Sequence, residues 1–284
     1  MRVSPELTAA TALLFCRLFL IQSTVYAFRP VIVRRQTHHL LLPVERRPSA
    51  STQTATTRTT SSSALAAGPP TLYGHPGTRS PLVNWGAYEV GIDLITGDLQ
   101  RNPHPFGQLP CLTDDDNDVL VFESGAILLY LHEKSQTMAQ TPQKKWSPKD
   151  SAAIISWIMW ANASLDPICF LETPDGQVYD TGLKQPNKRI ARLDDILSKR
   201  TYLIGSEFSL ADVAVASYLL YVLQFFPGGV DLSRWPHLKR YMKDCAGRPA
   251  YAKAFGEKVQ NFVVGQLMTN NEGESKEKKL FGMF

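Results

Sequence analysis

Asp114 to Asp118 places four aspartates and one asparagine in succession, and clustered carboxylates are the donors a calcium ion takes. The run lacks the glycine and the distal glutamate of an EF-hand loop, so its spacing points instead to a solvated hairpin turn. Sulfur is as sparse. The four cysteines, Cys16, Cys111, Cys169 and Cys245, are widely separated and form no C-x-x-C pair. A disulfide scaffold, a zinc ribbon and a dithiol redox centre are thereby disfavoured, and a reducing compartment is expected. Ser209-Leu210-Ala211-Asp212 is sharper, because a serine can cap helix amides while the acid three residues on reaches back to the serine amide. Phe208 and Val213 are spaced as a hydrophobic staple across that turn. This motif reads as a folding device rather than a site. Glu123-Ser124, where a strand meets a helix, is either a capping serine after a surface glutamate or an anion site at a helix N-terminus.

The chain that must position these residues has 284 of them, 44% hydrophobic and 20% charged, which excludes a disordered or fibrous protein as the whole answer. Its formal charge of +4 is unevenly placed. Residues 1–70 hold eight Arg, no Lys and two Glu, a balance of +6, and the rest holds 22 basic and 24 acidic side chains, a balance of −2. The body therefore gives no electrostatic case for nucleic acid. No stretch reaches 18 uninterrupted apolar residues, so no membrane span is expected in the mature form. Residues 1–27 read as a signal peptide, with Arg2, a mostly apolar Leu7–Ile21 broken by Arg17, and Val25-Tyr26-Ala27 at the cleavage site. Residues 28–70 are rich in Arg, Ser and Thr and read as a transit-like segment. The two-part leader resembles those of algae with complex plastids; mitochondrial or secretory routing is the alternative.

Beyond Gly68-Pro69-Pro70, the periodicities give β-α-β-loop-β-β-α over residues 71–141. A strand at Thr71 is followed by a helix from about Leu82, a strand at Ile92–Ile95, a Pro-broken loop at 102–107, two strands around the acidic turn, and a helix over Ser124–His132. Gln136–Lys145 reads as linker. From Trp146 onward only helical periodicity is visible, with helices expected at Lys149–Leu171, Pro186–Arg200, Leu210–Phe225, Trp235–Ala246 and Pro249–Val264. This second domain spans residues 146–265, and 266–284 form a polar tail.

Four ordered elements carry a family resemblance: Leu72-Tyr73-Gly74 with a hydroxyl at Thr78, Asn102-Pro103 through Gly107-Gln108-Leu109-Pro110, Glu123-Ser124-Gly125-Ala126-Ile127, and Phe208-Ser209-Leu210-Ala211-Asp212. Together they resemble the soluble glutathione transferases. The segment Thr78–Trp85 is further similar to the cyanobacterial chi-type members. The resemblance implies an α/β plus all-α fold, an N-terminal thioredoxin-like domain followed by a C-terminal all-helical domain, and a homodimer. It also implies glutathione as co-substrate, with no metal, and a small electrophilic substrate.

Carried over residue by residue, the resemblance places a cis peptide at Leu109-Pro110, with the Leu109 main chain pairing the cysteinyl backbone in β-strand fashion. Gln108 falls at the glycine carboxylate. Ser124 and its helix amides fall at the γ-glutamyl carboxylate, and Glu123 at its ammonium. The family's catalytic serine falls on Thr78, a departure that keeps the hydroxyl and adds a methyl; Ser80 and Arg79 are the alternatives. Shifting a thiol of pKa about 8.5 down by two units takes about 2.7 kcal/mol, and one charge-assisted hydrogen bond supplies roughly 1.5–3 kcal/mol. A single hydroxyl is therefore enough. No cysteine lies in residues 75–81, which argues against thiol transferase and dehydroascorbate reductase chemistry, and Cys111 reads as inert packing. Trp157, Trp160 and Ser164 share a helix side and could line an electrophile pocket; Tyr218, Tyr221 and Phe225 read as core. The same scaffold also admits a non-catalytic protein that binds glutathione or a hydrophobic ligand, or a glutathione-dependent peroxidase.

Overall fold

The computed structural model describes residues 68–138 and 145–268. The signal-like and transit-like segments up to residue 67, residues 139–144 of the linker, and the tail beyond 268 lie outside the described residues.

The first half runs β1 (Thr71–Tyr73), α1 (Ser80–Glu89), β2 (Ile95–Thr96), β3 (Cys111–Asp114), β4 (Val119–Phe122) and α2 (Ser124–Thr137). The strands form one mixed sheet in the order β2-β1-β3-β4, with β1 parallel to β2 and β3 antiparallel to both its neighbours. α1 is the crossover that a parallel pair requires. Its Pro81 sits in the first turn, where a missing N–H costs nothing, and Leu82, Val83 and Trp85 are buried. β2 is shorter than the sequence indicates, and only a single 3-10 turn, Leu99–Arg101, stands between it and the Pro-rich loop.

The acidic turn is solvated at Asp115, Asp116 and Asp118, but not at its first residue. Asp114 is buried and anchors α2, taking hydrogen bonds from Lys134, the Tyr130 hydroxyl and Asn117. Burial alone would push its carboxyl up; those three donors outweigh it and hold the carboxyl below its ordinary range.

The second half holds α3 (Pro148–Trp160), α4 (Asp166–Cys169), α5 (Lys188–Ser198), α6 (Leu210–Phe225), α7 (Pro236–Ala246), α8 (Pro249–Phe255) and α9 (Glu257–Met268). Three expectations need correction. The long first helix is not continuous, because a π turn over Ala161–Leu165 separates α3 from α4. The domain is not wholly helical: β5 (Leu171–Glu172) and β6 (Val178–Asp180) form a hairpin too short to leave a period-two pattern. Its turn is set by Gly176 at φ 79° and the Gly176 amide bonded to the Thr173 carbonyl. Pro249–Val264 is two helices, broken at Gly256, where φ is 90°.

α6 is buried along nearly its whole length and forms the axis of the helical domain. Asp212 receives the Ser209 amide at 2.9 Å, as its spacing predicts, and also the Leu203 amide at 2.9 Å. Phe208 packs across the domain boundary, with its ring 5.8 Å from Trp85 and 5.3 Å from Tyr202. α1 is the main bridge between the halves: Trp85 stands edge-on to Tyr251 at 5.0 Å and to Phe255 of α8 at 6.2 Å.

Candidate glutathione site

Register places three loops together. Tyr73 pairs with Cys111 across β1 and β3, and Cys111 pairs with Phe122 across β3 and β4. The segments 74–80, 102–110 and 123–124 therefore emerge at one end of the sheet, with β3 between the other two. That end carries Thr78, Arg79, Ser80, Gln108, Leu109, Pro110, Glu123 and Ser124, whereas Trp157 and Trp160 lie on α3 and Ser164 in the π turn of the helical half.

In the middle segment, the Leu109-Pro110 peptide is cis. The Asn102 side chain donates to the Gln108 carbonyl at 2.9 Å, and the Asn102 oxygen accepts the His104 amide at 3.1 Å, so the loop is braced from within. The Leu109 amide and carbonyl have no partner among the described residues, while the strand proper starts at Cys111. Gln108 is exposed, and Cys111 is buried with its thiol pushed up by burial, consistent with packing.

Glu123 sits between β4 and α2 at φ 68° and ψ 124°, a backbone region that a residue with a Cβ seldom adopts. Its carboxylate is exposed and has no partner among the described residues. Ser124 is buried at the first position of α2, whose leading amides have no intrahelical acceptor. A helix of 14 residues with free N-terminal amides, a serine hydroxyl and an adjacent carboxylate can take a zwitterionic amino-acid end.

In the segment before α1, Thr78 is half-buried and Ser80 is buried. The Thr78 hydroxyl donates to the His75 carbonyl at 2.8 Å and stands 2.7 Å from the Ser80 hydroxyl. Arg79 turns away from both. Its guanidinium makes a two-pronged contact with Asp166, at 2.9 and 3.1 Å, and lies 4.5 Å from the centre of the Tyr218 ring. Burial works against that charge, but Tyr218 and Asp166 outweigh it and raise the guanidinium's pKa.

Sequence reasoning missed the support that comes from the helical half. Asp166 holds Arg79 from 87 residues away. Tyr218 is buried, its hydroxyl pushed up to about 12 chiefly by burial, and it donates to Asn162 beside the Ser124 hydroxyl. Asn162 lies in the π turn against Gly125, where an added Cβ would stand 1.9 Å from the Asn162 nitrogen. Asn162 and Asp166, four residues apart, thus brace opposite sides of the site, and only their spacing could have signalled it. Tyr221 reaches the Thr78 carbonyl at 3.5 Å. Trp157 and Trp160 pack edge to face at 5.4 Å, half-buried.

Residues 69–133 match the model of the glutathione S-transferase N-terminal domain, and residues 143–249 match that of the C-terminal domain. Glutathione S-transferase GstB of Escherichia coli K12 is 32% identical over 178 residues, covering 58% of this chain and 80% of its own length. The chain belongs to the glutathione S-transferase family. Among solved structures, glutathione transferase F7 of Populus trichocarpa aligns with a TM-score of 0.53 at 26% identity, over 68% of this chain and 99% of its own. Elongation factor 1-gamma of Danio rerio is 28% identical over 249 residues, which is 76% of this chain and 52% of that protein. As a member of the family, the chain has a thioredoxin-like domain followed by a helical domain, and the described site lies at the sheet end of the first.

Proposed function

We propose that this family member conjugates glutathione to small hydrophobic electrophiles. One observation carries the reading: the strand register brings an unpaired Leu109 main chain, the Ser124 helix terminus and the Thr78 hydroxyl to one end of the sheet. Leu109 pairs the cysteinyl backbone, Gln108 meets the glycine carboxylate, and Ser124 with the α2 amides holds the γ-glutamyl carboxylate while Glu123 takes its ammonium. The sulfur then falls to the β1 side, where Thr78 offers the more accessible hydroxyl; Ser80 is buried and Arg79 is neutralised by Asp166. The thiolate forms the new C–S bond as the electrophile's leaving group departs, or as its double bond takes up a proton. Glutathione is the co-substrate and the reaction calls for no metal.

The decisive assay is a panel of aryl halides, isothiocyanates and hydroperoxides on residues 68–284. Thr78→Val should lower kcat/KM for glutathione by about 10- to 100-fold at neutral pH, the worth of one charge-assisted hydrogen bond. Unchanged turnover in Thr78→Val removes Thr78 from the mechanism. Turnover confined to hydroperoxides would make the protein a peroxidase.

A second reading, a non-catalytic glutathione or hydrophobic-ligand binder, is favoured by the likeness to elongation factor 1-gamma. Retention on glutathione–agarose without turnover of any electrophile would establish it. A homodimer, a role in detoxification, chi-type affinity from Thr78–Trp85 and a plastid address in residues 1–70 complete the proposal; a fluorescent reporter fused to residues 1–70 tests the last.

A further inference from the structure

Two hydroxyls stand 2.7 Å apart beside the proposed sulfur position, and their protons can be assigned by counting. The Thr78 oxygen lies 2.8 Å from the His75 carbonyl, which can only accept, so the Thr78 proton goes there. A hydroxyl has one proton. The contact between Thr78 and Ser80 is therefore made by the Ser80 proton, donated to the Thr78 oxygen. The Ser80 amide donates to the same oxygen at 3.2 Å, and the Ser80 oxygen in turn accepts the His75 amide at 3.0 Å. Two donors thus converge on the Thr78 oxygen, and each makes its remaining O–H a stronger donor. Ser80 is 2% exposed, with its proton and one lone pair already committed, so it is not placed to meet sulfur itself.

We propose that Ser80 is a positioning residue: its buried hydroxyl fixes Thr78 with the Thr78 proton outermost, and that proton passes from the His75 carbonyl to the glutathione sulfur when glutathione binds. The exchange is a rotation about the Thr78 Cβ–Oγ1 bond and moves no heavy atom. The inference rests on the reading that the glutathione sulfur meets Thr78.

The test titrates the thiol of bound glutathione by the ultraviolet absorbance of its thiolate, in the wild type, Ser80→Ala, Thr78→Val and the double variant, with the affinity for S-methylglutathione measured alongside. Ser80→Ala should raise the bound thiol's pKa by about half to one unit, leaving about three- to tenfold less thiolate at a pH well below that pKa, while S-methylglutathione affinity stays within twofold. In the Thr78→Val background, Ser80→Ala should add nothing, because Ser80 acts only through Thr78. If Ser80→Ala fails to fold, Gly74→Ala disturbs the same contact, since an added Cβ would lie 2.5 Å from the Ser80 hydroxyl, and the same rise is expected. A wild type that lowers the thiol's pKa, with Ser80→Ala matching it, overturns this inference alone. Additive effects of the two substitutions make Ser80 a direct donor and also overturn it. A wild type that binds glutathione without lowering its thiol pKa, or does not bind it, overturns the reading of the site as well.

Discussion

Glu123 holds the least ordinary backbone in the site. Asp118, the other non-glycine residue at positive φ among the described residues, sits in the left-handed region that aspartate tolerates at a turn; Glu123, at ψ 124°, does not. Such a conformation costs of order 1–3 kcal/mol, and it aims the residue out of β4 with its carboxylate free. Glu123→Gly and Glu123→Ala separate the two consequences. Both should raise the KM for glutathione about tenfold by removing the partner of the γ-glutamyl ammonium, but the glycine variant should be about 1 kcal/mol more stable than the alanine variant in urea unfolding. Equal stability of the two would show that the backbone there is unstrained. At this scale the cis Leu109-Pro110 peptide is legible in the sequence, and so is the placement of Thr78 and Ser124 beside it, because the residue types and their order carry that pattern locally. The sequence is silent on Asn162 and Asp166, because their partners arrive from another domain.

Among elements, the legible ones have their own punctuation. α6 begins and ends as its Ser209–Asp212 motif and apolar run indicate, and Asn187 caps α5 through two amides. The π turn carries no such mark, being set by what packs against it, and the β5–β6 hairpin is marked only at its turn, Pro174-Asp175-Gly176, because its strands are too short for a period-two pattern. Asp212 shows how a cap can gain a second duty. Fully buried, it gathers the Ser209 amide and hydroxyl and the Leu203 amide, and burial pushes its carboxyl up to about 6. The folded protein then binds a proton that the unfolded chain, with this acid at its ordinary value of 3.8, has released. The stability this group contributes is therefore fully present below about pH 4, is lost as pH rises to about 6, and is level above that. Asp212→Asn lacks the titration. The unfolding free energy of the wild type minus that of the variant should fall by roughly 2–3 kcal/mol between pH 4 and 6, measured by urea denaturation. A difference that stays flat, or rises, refutes the raised carboxyl.

On the scale of the molecule, α1 belongs to the sheet domain by sequence and to both domains by contact. Arg79, just before its start, is clasped by Asp166, and Glu89, its last residue, takes two hydrogen bonds of 2.7 Å from Arg248 and a third of 2.9 Å from Trp85. Arg248 also lies 3.8 Å over the Phe208 ring. Each pair is two-pronged and partly shielded, the arrangement in which an ion pair contributes most, and Glu89 is only 9% exposed. Removing Arg248 takes both guanidinium hydrogen bonds from a shielded carboxylate. Arg248→Ala should therefore destabilise the protein by about 2 kcal/mol, lowering its midpoint by roughly 4–8 °C. Because Trp85 is buried against α8 as well as beneath the sheet domain, the two halves share one core and should melt together. Calorimetry should give a single transition for the wild type and a single, lower one for the variant. Two resolved transitions in the wild type would mean that the halves are joined only by chain, and the bracing of Thr78 and Ser124 from Asn162, Asp166 and Tyr218 would lose its footing.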